Sequence, residues 1–173
     1  GGLKLVAALD AFGVDPAGRV CLDLGASTGG FTDVLLSRGA SRVYAVDVGT
    51  GQLAEKLSND SRVVSLPQLD VRDLDRTLIG QQPSLITADL SFIGLEKALV
   101  AALGLCAPKA DLIALFKPQF QVGPAHVGKG GLVTDPAAIE TAKARFSAWL
   151  TGPEDARTGW VIRGWTESPI AGG

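Results

Sequence analysis

Residues 19–40 read "RVCLDLGASTGGFTDVLLSRGA", and the fold turns on how this stretch is read. "RVCLDLG" is a short, almost wholly apolar run carrying one acid, Asp23, which is the pattern of a strand buried on both faces. Gly25, Gly29 and Gly30 punctuate a turn, and "GGFTDVLLSRGA" sets its apolar residues at helical spacing before a glycine stop at Gly39. Strand, glycine turn and helix in that order begin a repeating α/β unit.

The same alternation continues in both directions. Upstream, "LKLVAALDAFGV" (3–14) reads as an opening helix that ends at Gly13. Downstream, strands are predicted in "RVYAVDVG" (42–49), "RVVSLPQLDV" (62–71), "PSLITADLS" (83–91), "ADLIALFKP" (110–118) and "GWVIRGWTES" (159–168). Helices are predicted in "GQLAEKLSND" (51–60), "GLEKALVAALGLCA" (94–107) and "DPAAIETAKARFSAWLTG" (135–152), the last capped by Asp135. The pattern predicts an α/β fold: a Rossmann-like, mostly parallel, doubly wound sheet with helices on both faces.

Composition narrows the function classes. The 173 residues are 46% hydrophobic and 20% charged, which fits one domain with a proper core. A net charge of −2 and a pI near 5.3 argue against tight, autonomous binding to nucleic acid. Cys21 and Cys106, the two cysteines, sit in apolar contexts and read as core thiols, so a reducing, cytoplasmic setting is expected. The run "ALVAALGLCA" (98–107) is too short to span a bilayer. His126 is the single histidine and has no second ligand at metal spacing, so no metal site is expected. The glycine-rich loop around it reads as an irregular, substrate-facing segment. Trp149, Trp160 and Trp165 read as packing residues.

In open parallel sheets ligands bind beyond the carboxyl ends of the strands. Here those ends carry Asp23 with Gly25, then Asp47, Asp70, Asp89 and Lys117, charges where neutral turns would serve. "DLGASTGGF" is not G-x-G-x-x-G, because Ser27 stands at the third position. An acid just before the glycines is a poor neighbour for a pyrophosphate at a helix N-terminus and a good one for a cationic amino group. That favours S-adenosylmethionine over NAD. Asp47 lies about 20 residues beyond the glycines, where a carboxylate accepts from ribose hydroxyls. Asp70 is placed either for an adenine amino group or as the N-cap of the next turn. The expected cofactor contacts are Asp23, Gly25, Ala26, Ser27, Thr28, Gly29, Gly30, Phe31, Asp47, Val48, Asp70, Val71 and Asp89.

Taken together, "GGLKL", "LDLGASTGGFTDVLL", "VDVGTGQL", "ADLSFI", "KPQF" and "GKGGLV" resemble the TlyA family, described as haemolysin-like and as ribosomal RNA 2′-O-methyltransferases, and more distantly the FtsJ-like RNA methyltransferases. The resemblance implies a lysine–aspartate–lysine–glutamate tetrad. By motif its first three members are Lys4, Asp89 and Lys117, and the glutamate is expected past "SPIAGG" (168–173), so Glu167 is not that acid. It also implies ribosomal RNA or a ribosomal subunit as partner, gripped by an N-terminal RNA-binding domain outside residues 1–173; this chain is then the S-adenosylmethionine-dependent methyltransferase domain. Such relatives often carry an acid after "KPQF"; this chain has Gln121, for which no catalytic role is expected.

The chemistry implied is removal of a proton from a ribose alcohol by a neutral amine. Lys117 is expected to be that base, with Asp89 orienting it and Lys4 orienting the sugar. A nicotinamide-dependent oxidoreductase and a membrane-lytic, haemolysin-like protein are the rival readings.

Overall fold

The computed structural model describes residues 1–152 and 159–169. Five parallel strands form one sheet: β1 (Val20–Leu24), β2 (Arg42–Val46), β3 (Val63–Leu66), β4 (Leu85–Ala88) and β5 (Asp111–Ala114), in the order β3-β2-β1-β4-β5. The helices are α1 (Gly2–Phe12), α2 (Gly30–Ser37), α3 (Glu55–Ser58), α4 (Leu95–Ala98), α5 (Val100–Leu105), α6 (Pro118–Gln121) and α7 (Pro136–Thr151).

Period-two alternation along the strands divides the core into two layers. Cys21, Val43, Leu85 and Ile113 face Leu5 and Leu9 of α1 and Phe31 and Leu35 of α2. Leu22, Leu24, Tyr44, Val46, Ile86 and Ala88 face Leu99, Ala102 and Leu103 of α4–α5 and Phe146 of α7. β1 and β4 are the central strands, and every residue of β4 is buried. At the amino ends, Arg19 donates from Nε to Ser84 Oγ (3.0 Å) and from a terminal nitrogen to Asp111 Oδ2 (2.8 Å), tying β1, β4 and β5 together.

At the opposite edge the register is level. Leu66, Val46, Leu24, Ala88 and Ala114 lie in one row across the sheet. Gly25, Asp47 and Asp89 are therefore the first residues beyond that row on three adjacent strands. The order reverses between β1 and β4, which makes their carboxyl ends the topological switch point. Gly25 sits there with φ +80, and a Cβ on it would lie 2.2 Å from the carbonyl oxygen of Asp89. Both the backbone conformation and the contact require glycine.

Three expectations change. "GWVIRGWTES" does not form a sixth strand: residues 160–168 make no ladder with the sheet. Trp160 and Ile162 pack against the core, but a cleft of about 1270 Å3 lies between this segment and β5. The predicted helix over 94–107 is two helices, broken at Leu99, whose ψ of −10 departs from helical values. The helix predicted over 51–60 shortens to the four residues of α3: Gly51 takes φ +56, and Ala54, with ψ 138, is the non-helical N-cap directly before Glu55. Residues 170–173 of "SPIAGG" lie outside the described residues.

Replacing Gly25 by alanine adds overpacking to backbone strain. Gly25→Ala is expected to lower the unfolding free energy by about 2–4 kcal/mol, measured by urea denaturation.

Candidate functional site

The turn between β1 and α2 is wound tightly. Gly25 and Ala26 both donate backbone N–H groups to the carbonyl of Val46, and Gly29 donates to Ala26. Ser27 takes φ +52, a strained setting for a residue with a side chain, and Gly29 takes φ +110. Ser27 and Thr28 are exposed, whereas the side chains of Ala26 and Phe31 are buried in the core. At the tip of β2, Asp47 accepts from the backbone N–H of Ser27 (3.2 Å) and of Gly49 (2.9 Å). Val48 beside it is 71% exposed, an apolar surface next to a carboxylate. A small pocket of about 20 Å3 lies among Ser27, Asp47, Gly49, Gln52 and Pro67.

Asp23 does not share that surface. It is fully buried beneath the turn, accepting from the hydroxyls of Thr32 on α2 (2.7 Å) and Thr87 on β4 (3.2 Å). Desolvation pushes its carboxyl up to about 6, opposed by the two threonine bonds and assisted by the nearby charge of Asp89. Asp23 therefore acts from below, joining the glycine turn to β4. Asp70 caps the turn at 71–73 by accepting from Arg72 N (2.9 Å), and the Arg72 guanidinium beside it holds its carboxyl down at about 2. The cap reading of Asp70 is the one seen in this structure. The side chain of Val71 is in the core, leaving its backbone for any ligand.

A second cluster is built at the ends of β4 and β5. Lys117 lies three residues past Ala114, at the N-cap of α6 and directly before Pro118, with extended backbone at φ −108 and ψ 103. Proline disfavours helical geometry in the residue before it, so Lys117 is held out of α6. Its Nζ lies 2.7 Å from Asp89 Oδ1 and donates to Ser91 Oγ at 3.2 Å. The lysine side chain is 13% exposed and the aspartate 27%, so the pair is mostly shielded from water but reachable. Lys4 lines the same large cleft as Lys117. It is brought there by close backbone packing of α1 on α2, where a Cβ on Gly30 would lie 2.9 Å from Gly2 N.

The structure also supplies residues that motif reading did not single out. Ser91 and Phe92 stand within "ADLSF", and Thr32 and Thr87 flank Asp23. Phe92 is 90% exposed, has φ +63, and stacks obliquely on Phe120 with ring centroids 5.1 Å apart. The tryptophans pack as expected: Trp149 against Phe146 (6.1 Å) and Trp165 edge-on to Phe116 (5.3 Å). Cys21 is buried, and its burial pushes the thiol up to about 12. Among the described residues no cluster of three potential metal ligands occurs, and no helix is long and apolar enough to cross a membrane.

The donor set fits an adenosyl group. Asp47 offers a carboxylate for vicinal hydroxyls, Val48 an apolar face for a purine, and the glycine turn backbone without side chains in the way. With the strand order and the pair on β4–β5, this defines a Rossmann-like fold of the methyltransferase class. The family of FtsJ-like methyltransferases matches residues 1–154, and the chain belongs to it. It is 49% identical over 172 residues to the "16S/23S rRNA (cytidine-2'-O)-methyltransferase TlyA" of Mycobacterium tuberculosis, covering 99% of this chain and 62% of that protein. It is 42% identical over 135 residues to "Hemolysin A" of Brachyspira hyodysenteriae, covering 78% of this chain and 56% of that protein. A solved structure named "Putative hemolysin from Streptococcus thermophilus" superposes with a TM-score of 0.87 at 38% identity, covering 99% of this chain and 61% of the other. The chain thus spans about three fifths of the length of these relatives. The resemblance read from the motifs holds, and neither rival reading gains support.

The buried acid gives a pH signature. Because the folded carboxyl of Asp23 sits near 6 against an ordinary 3.8, the folded state holds the proton more tightly than the unfolded chain. Its contribution is fully present below about pH 3.8 and is lost as pH rises through about 6. The loss amounts to about 3 kcal/mol. Asp23→Asn is expected to abolish this part of the slope when urea unfolding is followed from pH 4 to pH 7.

Proposed function

We propose that this chain is the catalytic part of an S-adenosylmethionine-dependent methyltransferase that modifies a ribose 2′-hydroxyl of ribosomal RNA. The observation that carries the reading is the Lys117–Asp89–Ser91 cluster at the ends of the adjacent parallel strands β4 and β5, one strand from the glycine turn after β1 and two from Asp47 after β2. The fit of the cofactor rests on the turn at 25–30, the Asp47 carboxylate and the exposed face of Val48.

When bound, the cofactor supplies a methyl group on a sulfonium, and a neutral thioether needs no acid to leave. The chain's task is then to place an alcohol and accept its proton. Lys117 Nζ is the acceptor once its extra proton has left to solvent and freed its lone pair, since an alcohol is a weak nucleophile until a base relieves it of its proton. Asp89 and Ser91 fix the direction of the amine by their contacts at 2.7 and 3.2 Å. Lys4, on α1, meets the sugar from the other side. Phe92 offers an aromatic face 90% open to solvent, backed by Phe120, next to the reacting pair. A base swung out of an RNA strand would stack there while its ribose reaches Lys117. An exposed phenylalanine at positive φ carries about 1–3 kcal/mol of strain, which is tolerated where the side chain has a ligand to meet.

Lys117→Ala is expected to abolish methyl incorporation into ribosomal subunits while leaving S-adenosylhomocysteine affinity within a factor of about two, because the cofactor half of the site is not touched. Methylation at the parent rate would refute the assignment of the base. Phe92→Ala is expected to reduce kcat/KM for RNA about tenfold, with Phe92→Trp retaining most of it. Equal loss in both variants would refute the stacking role. Thermal-shift titration with S-adenosylhomocysteine and with NAD tests the cofactor directly, and stabilisation by NAD alone would overturn the proposal.

A further inference from the structure

Behind the reacting pair, and out of reach of either ligand, is a second junction between the same two loops. Gln121 ends α6, four residues after Lys117, and is 5% exposed. Its Oε1 accepts from the backbone N–H of Leu95, the first residue of α4, at 2.7 Å. The N-cap of α4 is Gly94, which has no side chain to satisfy that donor, so the bond comes from another element. Gln121 Nε2 donates to Glu96 Oε1 at 2.7 Å. Glu96 Oε2 in turn faces Arg145 Nε of α7 at 3.6 Å, and Arg145 donates to the backbone carbonyl of Gln121.

Two loops are therefore closed at both ends. In front, Asp89 and Ser91 hold Lys117 and Phe92 lies on Phe120; behind, Gln121 joins the start of α4 to the end of α6. The rear junction requires a side chain that accepts from an N–H and donates to a carboxylate at once, which an amide does and an ionised acid does not. Glutamate at 121 would place two carboxylates against each other in a buried setting.

We infer that Gln121 is a positioning residue: through Leu95 and Glu96 it fixes the spacing between the loop of Asp89 and the loop of Lys117. The inference rests on the proposed methyl transfer only for its rate readout. Neither Gln121 nor Glu96 is part of the reacting set, and the neutral amide at 121 is matched to the acid at 96. Other charged groups facing the junction are Arg145 from α7 and, across the loops, Lys117 and Asp89.

The test is a swap. Gln121→Glu is expected to lower kcat by ~100-fold, as a misplacement near 1 Å does, with S-adenosylhomocysteine affinity and RNA KM little changed. The double variant Gln121→Glu with Glu96→Gln restores one donor facing one acceptor and is expected to recover most of the rate. Independently of RNA, acetic anhydride footprinting read by mass spectrometry reports how well Lys117 is shielded. Lys117 should become more reactive in Gln121→Glu and return toward the parent in the double variant. Unchanged kcat and unchanged footprint in the single variant overturn the positioning role. So does a single variant impaired in both with no recovery in the double, since that marks loss of packing alone. A footprint that follows the swap, in a parent chain that shows no methylation, retains the junction and rejects the proposed reaction.

Discussion

The turn after β1 and the turn after β4 lie directly against each other, because Gly25 presents a bare α-carbon to the carbonyl of Asp89. This contact sits where the strand order reverses, and it brings the two halves of the carboxyl edge to one place. On one side the glycine turn and Asp47 are joined through the bonds from Ser27 and Gly49. On the other, Asp89 is the first residue past the level row and receives the amine of Lys117. Were the turns pushed apart by the width of a methyl group, the acid that holds the amine would move away from the loop expected to hold the cofactor.

Charge is arranged in depth around that contact. Asp23 lies below, dry and held by Thr32 and Thr87, and Asp47 lies above at the surface of the turn. The field of Asp89 reaches Asp23, so the buried acid and the Asp89–Lys117 pair are linked electrostatically as well as through Thr87 of β4, two residues before Asp89 in the chain. A buried carboxylate is expensive unless its oxygens are occupied, and the two hydroxyls supply that.

Much of this was legible in the sequence. The alternation of apolar runs with glycine-ended helical segments marks the five strands and the longer helices in their order, whereas the four-residue α6 and the split between α4 and α5 are too short to show a period. Asp89 and Lys117 were found because charged residues directly after buried strands stand out. What escaped notice depended on distant pairing. Nothing local in "GWVIRGWTES" says whether its apolar residues pair in a ladder or lean on Phe116 and the core, and they do the latter. Asp23 reads as a counter-charge for a cationic amino group until Thr32 and Thr87 are seen to enclose it. Gln121 reads as an unremarkable departure from an acid until Glu96, 25 residues away in the chain, is seen beside it.

The proline after Lys117 has an effect beyond ending a strand. With its backbone confined to the extended region, the lysine is neither absorbed into the following helix nor free to swing with it. The backbone thus sets where the side chain starts, and Asp89 and Ser91 set where its amine ends. If the amine is the base proposed above, the approach of the alcohol, and not a swing of the lysine, makes the final fit.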